Sequence, residues 1–271
     1  MKTGSHLVLM SVSKLASRID VLKIITKASK PYKEIYTSGS PICQYPSVTK
    51  VLTLLTEGKF SQWNQSLVLD SFCTQVLQLN KRQPNRLISA EDLSFLRKVA
   101  EVYPKQELQK RGDEGAEIHT LISNAIHNKE VKATPRSESS LAAFRLWKKT
   151  SGIDLYFTDV FVYSHQFQYS GFIDAIGMDA AGDVVIVDFK SGKGMYNSYA
   201  LQLAAYCKAL EECCDATMPI QKAYVLHFLP NSADFEFLQV KDVDQAFDSF
   251  LHCKALFSLQ QANHSLFSKV H

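Results

Sequence analysis

The sequence predicts a mixed α/β fold, on three observations. Apolar residues recur at helical spacing up to about residue 150, three β-branched and aromatic runs follow Gly152 in close succession, and helical and strand-like segments then alternate to the end. Many helices followed by a short sheet argue for an α+β or mixed α/β arrangement and against a doubly wound one. The 271 residues suit one large domain, or one domain and a tail. A hydrophobic share of 46% and an aromatic share of 11% suit a globular core.

Residues 1–35 read as a basic leader. Between Met1 and Lys33 stand Lys2, Lys14, Arg18, Lys23, Lys27, Lys30 and Lys33 against one acid, Asp20, with serines between. That composition fits an organelle transit peptide, and equally a plain basic N-terminal helix. "SKPYKEIYTSGSPICQYPS" (29–47) reads as a linker or irregular entry. "PSVTKVLTLL" (46–55) opens a helix with Ser47 as N-cap. Further helices are expected over 61–79 and over 89–103, where Ser89 caps and Asp92 follows three residues on. Pro104 should restart the chain, with a helix in the second half of 105–128, capped by Asp113, and another over 137–150.

Strands follow at 153–164, 167–179 and 183–190, the last two joined by the turn "DAAGD". A helix over 195–213, strands at 221–230 and 235–240, and a helix over 242–260 complete the chain. Residues 36–271 are thus read as one domain, mainly helical over 36–150 and carrying the core sheet over 151–271.

Composition narrows the partners. No apolar run reaches the ~18–20 residues that span a bilayer, so a soluble protein without a membrane partner is expected. A net charge of +3 permits an anionic partner without demanding one. The six cysteines form no CxxC pair and no zinc pattern, which fits reduced thiols in an intracellular compartment.

The chemistry concentrates in "GDVVIVDFKSGKG" (182–194). Asp188 and Lys190 are two apart on a strand, so their side chains leave the same face. An ion pair on an exposed strand face is one reading. The other adds Asp174: pairing about the "DAAGD" turn sets Asp174 opposite Asp188. Two carboxylates at one spot repel unless a cation lies between them, and Mg²⁺ takes carboxylate oxygens while keeping positions for water and phosphate. Lys190 then stands ready to orient a water or to offset charge on a phosphoryl group.

These residues carry a resemblance. "GFIDAIGMDAAGDVVIVDFKSGKG…LQLAAY" is similar to the RecB-like branch of the PD-(D/E)XK nucleases, whose pattern is G-x-x-D, then D-x-K, then Q-x-x-x-Y on a helix. Here these are Gly171 and Asp174, Asp188 and Lys190, Gln202 and Tyr206. The resemblance implies a restriction-endonuclease-like central sheet with an αβββαβ core; the large N-terminal helical part, more than a plain nuclease core needs, is expected to roof the cleft and admit a strand but not a duplex. It implies catalysis by Asp174, Asp188 and Lys190. It implies an ion, Mg²⁺ or Mn²⁺, held by Asp174, Asp188, the backbone carbonyl of Phe189, and His119 of "RGDEGAEIHTLI" (111–122). Gln202 and Tyr206, which share a helix face, would touch the nucleic acid. Asp159 stands where relatives carry a supporting glutamate.

"YPSVTKVL" (45–52) resembles a motif of the mitochondrial genome maintenance exonucleases and related phage nucleases, with Ser47, Thr49 and Lys50 as phosphate-binding candidates. The similarity covers roughly residues 45–240. It implies a monomeric exonuclease on DNA, mainly single-stranded or with free ends, working with replication or repair proteins. The setting would be the mitochondrial matrix, or the cytoplasm of a bacterial or phage host. Some relatives bind an iron–sulfur cluster through four cysteines; the spacing here does not fit one, so none is expected. An inactive nucleic-acid-binding module and an RNA nuclease are the alternative readings. There is no GxxxxGK[ST] P-loop, so any motor is a separate chain. Arg111, Arg145, Lys148, Lys149 and Lys193 are candidates to follow a phosphate backbone, and Trp63, Trp147 and Tyr196 to stack on bases, though the two tryptophans read more readily as core or half-buried.

Overall fold

The structure is a computed structural model that describes residues 26–27, 33–37, 40–55, 57–135, 137–214, 219–230 and 232–262. Of the basic leader expected over 1–35, all but Thr26–Lys27 and the start of the second strand lies outside the described residues. Strands β1 (Thr26–Lys27), β2 (Lys33–Thr37) and β3 (Ser40–Tyr45) form an antiparallel sheet in that order. An irregular entry was expected over 29–47. Pro41 and the serines read there as breakers, but Pro41 lies beside the first residue of an edge strand, where a missing N–H is tolerated.

Next come α1 (Val48–Val51) and a 3₁₀ turn (Leu52–Leu55). Helix α2 (Glu57–Arg82) and helix α3 (Ala90–Ile126) follow. Ser89 caps α3 by a reciprocal box: Asp92 N–H donates to Ser89 Oγ (3.1 Å), and Ser89 N–H to Asp92 Oδ2 (3.0 Å). The break expected at Pro104 is absent, and α3 runs unbroken for 37 residues with Pro104 inside it. Interior proline costs about 3 kcal/mol of helix stability. Here its ring is buried, and that burial offsets part of the cost.

Leu55–Glu117 form one compact unit and the rest of the chain the other. The larger unit contains the end of α3, then α4 (Glu138–Thr150), β4 (Asp154–Ser164), β5 (Tyr169–Met178), β6 (Val184–Lys190), α5 (Asn197–Cys213), β7 (Lys222–Phe228), β8 (Phe235–Gln239) and α6 (Val243–Gln261). This is the mixed α/β class that the sequence predicts, with the αβββαβ order at its centre. The five strands lie in the order β4-β5-β6-β7-β8, and all pairs are antiparallel except β6–β7. A parallel pair needs a crossover, and α5 supplies it.

Both faces of the sheet are covered. On one, Val160, Ile173 and Ile186 pack against Leu203, Leu210 and Phe250 from α5 and α6. On the other, Val185, Val187 and Phe189 pack against Ile118 and Ile122 of α3 and Phe144 and Trp147 of α4. Strand β6 thus obeys the period of two: 185, 187 and 189 face α3 and α4, while Ile186 faces α5.

The β5–β6 turn falls where the sequence puts it. Asp179 Oδ1 accepts from the N–H groups of Ala181 (2.9 Å) and Asp183 (3.0 Å), and Gly182 adopts φ 84°. Lys222 on β7 pairs with both Asp179 and Asp183 and ties the turn to its neighbour strand.

Gly171 has a steric cause. A Cβ there would stand 2.3 Å from Tyr206 Cε1, so the tyrosine ring lies directly on the β5 backbone. Gly112, inside α3, meets nothing within 4 Å. Gly171→Ala should therefore cost about 1–3 kcal/mol by overpacking, and Gly112→Ala should add roughly 0.5–1 kcal/mol of helix stability. Thermal unfolding checks both: Tm falls for the first and rises for the second.

Candidate active site

The alternation along β6 puts Asp188 and Lys190 on the face of Ile186, toward α5. The β5–β6 ladder runs from Met178↔Val184 to Ala175↔Val187, and the same register carries Asp174 opposite Asp188. There the ladder stops. The Phe189 N–H goes instead to Asp174 Oδ2, at 2.8 Å. β6 continues alongside β7, with Asp188 paired to Val225 and Lys190 to His227.

Asp188 is 1% exposed. Gln202 Nε2 donates to its Oδ1 at 2.9 Å. Lys190 Nζ forms an ion pair with the buried Oδ2 at 2.8 Å. Gln202 Nε2 also lies 3.2 Å from the Tyr206 hydroxyl, and Gln202 Oε1 accepts from Lys190 Nζ at 3.4 Å. One amide thus serves the acid, the base and the phenol, and this chemistry fixes which end is oxygen. Lys190 Nζ also sits over the Tyr199 ring, 4.8 Å from its centre.

Burial pushes the Asp188 carboxyl up to about 6, with Lys190 opposing the rise and Asp174 adding to it. Burial also presses the Lys190 ammonium toward neutrality, but the charges of Asp188 and Asp174 outweigh it and hold its pKa above the usual lysine value. Burial and the same two carboxylates push the Tyr206 phenol far above its ordinary value. At neutral pH the acid is therefore ionised, the lysine charged and the phenol neutral.

His119 closes the site from α3. Its Nε2 lies 3.0 Å from the Phe189 carbonyl oxygen, which can only accept, so Nε2 carries the proton. Its Nδ1 lies 3.4 Å from Asp174 Oδ1. Burial lowers the imidazole's pKa, but the hydrogen bond and charge of Asp174, with Asp188 behind, raise it above the ordinary histidine value. His119, Asp174, Asp188, Phe189 and Lys190, drawn from three elements, are thus joined by short contacts around the end of one strand.

A profile of the PD-(D/E)XK nuclease superfamily matches residues 75–263. The chain belongs to the PD-(D/E)XK nuclease superfamily. No curated protein matches it. Among solved structures, one titled "Crystal structure of SSO0001" is similar at 13% identity over 45% of this chain and 57% of that one, with a TM-score of 0.29. A likeness that weak carries no argument. The superfamily is one of nucleases, and PD-(D/E)XK nucleases generally use divalent metals such as Mg²⁺.

The donors present fit such an ion: the carboxylates of Asp174 and of the buried Asp188, and the Phe189 carbonyl. Yet among the described residues no three His, Cys, Asp or Glu side chains are arranged as ion ligands. Lys190 lies against Asp188 Oδ2, and His119 against the Phe189 carbonyl.

The remaining sequence candidates lie elsewhere or play other parts. Gln202 and Tyr206 share a face as expected but are 7% and 3% exposed, beneath the acid rather than on the surface. Asp159 stands opposite Asp174 in the β4–β5 register, at φ 54°, with its exposed carboxylate 3.4 Å from Ser123 Oγ. Aspartate tolerates that left-handed backbone better than most side chains. Ser47 caps α1 by accepting from Lys50 N–H (3.2 Å) and lies 3.1 Å from Thr49 Oγ1; Thr49 and Lys50 are exposed.

Trp147 is no stacking platform. It is 1% exposed on the inner face of α4, against Phe144 and Phe237. Trp63 lies under the Arg111 guanidinium, 5.3 Å away. Tyr199 and the buried His227, whose Nε2 lies 2.7 Å from the Gly192 carbonyl, went unread: neither has a local signal, since each reaches the site through the fold.

Removing one member of a buried ion pair strands the other, at about 3–5 kcal/mol. Lys190→Met should therefore lower the unfolding temperature more than the double variant Asp188→Asn, Lys190→Met. Calorimetry of the two checks this, and an equal drop in both would contradict the pairing.

Proposed function

We propose that this PD-(D/E)XK nuclease is a metal-dependent DNA exonuclease acting on single strands or free ends in DNA maintenance, replication or repair. What carries the proposal is the convergence of Asp174, Asp188, Lys190, His119 and the Phe189 carbonyl at the end of β6. The two carboxylates and the carbonyl would hold Mg²⁺ or Mn²⁺, with His119 as the fourth donor once its carbonyl contact is released. Bound there, the ion would lower the pKa of a water and polarise the phosphoryl group.

The chain's own groups do the rest. Lys190, kept charged by Asp188 and Asp174, faces the phosphate and offsets the charge that develops on it. Gln202 orients both Lys190 and Asp188 through one amide, and Tyr206 props the amide from below. Asp159 supports the site through Ser123, whose hydroxyl also meets Thr158 at 2.7 Å. Ser47, Thr49 and Lys50 receive a flanking phosphate. The RecB-like affinity rests on Gln202 and Tyr206. The mitochondrial or phage affinity rests on "YPSVTKVL" and the basic leader.

The test is digestion of end-labelled single-stranded DNA with Mg²⁺, beside blunt duplex DNA and RNA of the same sequence. The wild type should cut the single-stranded DNA fastest and stop in EDTA. Lys190→Ala should lose at least about 100-fold in rate. Cutting that persists in EDTA would remove the metal, and equal rates on single and double strands would remove the strand preference.

A further inference from the structure

Strand β6 ends at Lys190, and the chain turns through Ser191–Gly194 before α5 begins. In this stretch Gly192 and Gly194 carry no side chain, Lys193 is exposed, and Tyr196 is 47% exposed although it is a large aromatic residue. Its ring is not loose. It meets the Tyr199 ring edge-on, with centres 5.5 Å apart and planes at 81°. Tyr199 in turn lies under the Lys190 ammonium, 4.8 Å from ring centre to Nζ. An unbroken line therefore runs from the ammonium of the reactive centre through a half-buried ring to an exposed one.

We infer that Tyr196 is the platform on which a nucleobase of the substrate strand stacks, next to the phosphate held at Asp174, Asp188 and Lys190. This rests on the nuclease reading and names a contact that reading does not contain. A strand with one phosphate beside Lys190 must pass a neighbouring base close by. The aromatic face within the two steps of 4.8 and 5.5 Å is that of Tyr196.

Tyrosine suits the task, because its ring offers a broad apolar face at the cost of two torsions, and the Tyr199 ring already packs against it. Gly192 and Gly194, which precede the ring, add no side chain to the approach; a Cβ at Gly194 would lie 3.8 Å from the Tyr196 hydroxyl, in ordinary contact. Stacking of this kind accepts any base, since every base has a π-face, but it needs a base free of its duplex neighbours. The platform therefore selects single-stranded nucleic acid without reading its sequence.

The experiment walks a single 2-aminopurine along a short single-stranded oligonucleotide, bound to the full chain in EDTA so that cleavage does not intervene. Wild type and Tyr196→Phe should quench the probe at one or two adjacent positions. Tyr196→Leu should lose that quenching and bind about 10-fold more weakly. An exposed side chain can be changed without threatening the fold, and matching Tm values confirm it. Quenching retained in Tyr196→Leu overturns the platform, as does a loss in Tyr196→Phe equal to that in Tyr196→Leu. No binding by the wild type overturns it together with the nuclease reading. Quenching without cutting in Mg²⁺ keeps the platform and removes the nuclease; cutting with no quenching that depends on Tyr196 does the reverse.

Discussion

The structure depends on one costly choice: a carboxylate, Asp188, 1% exposed on the central strand of a five-stranded sheet. Left alone, such a group costs several kcal/mol or gives up its charge. It keeps the charge at neutral pH because Gln202 and Lys190 reach it, at 2.9 and 2.8 Å. Those two contacts dictate much of the surrounding architecture. α5 must cross over β6 so that Gln202 points down at the strand. Tyr206, one turn on, must then lie on a β5 backbone position with no side chain, which is Gly171. A buried ion pair is weak evidence of stabilisation, since apolar residues of the same volume often do better. Its presence, with a carboxyl pushed up to about 6, is the feature on which the proposed chemistry rests.

A second group faces the first across the backbone of Phe189. The N–H of that residue goes to Asp174, and its carbonyl receives His119, whose other ring nitrogen lies 3.4 Å from Asp174. The Phe189 side chain packs among Phe144 and Phe228, so the peptide joining the two groups is fixed by the core. The site therefore lies at the point where β5 and β6 part. The parting is the physical event that brings these polar groups together. While the ladder lasts, backbone groups satisfy each other; beyond Ala175↔Val187 a carboxylate takes over a backbone N–H. Helix α3 adds His119, Ser123 and His127 at spacings of four, and the last two both meet Thr158 on β4.

Much of this was legible in the sequence for local reasons. The "DAAGD" turn fixes a register, and the register places Asp174 opposite Asp188. The period of two puts Lys190 beside Asp188, and the spacing of four aligns Gln202 with Tyr206. What escaped depended on distant parts. That Gln202 and Tyr206 lie beneath the acid, at 7% and 3% exposure, requires knowing where α5 crosses. Trp147 read more readily as core than as a platform, and only the fold, with α4 covering the sheet, decides it for core. The strands of residues 26–45 were masked by Pro41 and by serines that punctuate strands as readily as loops. Pro104 was overrated as a breaker because a buried ring offsets the lost hydrogen bond.

The central claim is that the groups around Phe189 are the ligands of one divalent cation. It is tested most directly by a crystal soaked in Mn²⁺ and measured at a wavelength where manganese scatters anomalously. The account predicts a peak within bonding distance of the carboxylates of Asp174 and Asp188 and of the Phe189 carbonyl, with His119 swung toward it. A well-ordered crystal in which those groups keep their mutual contacts, with no peak between them, would contradict it.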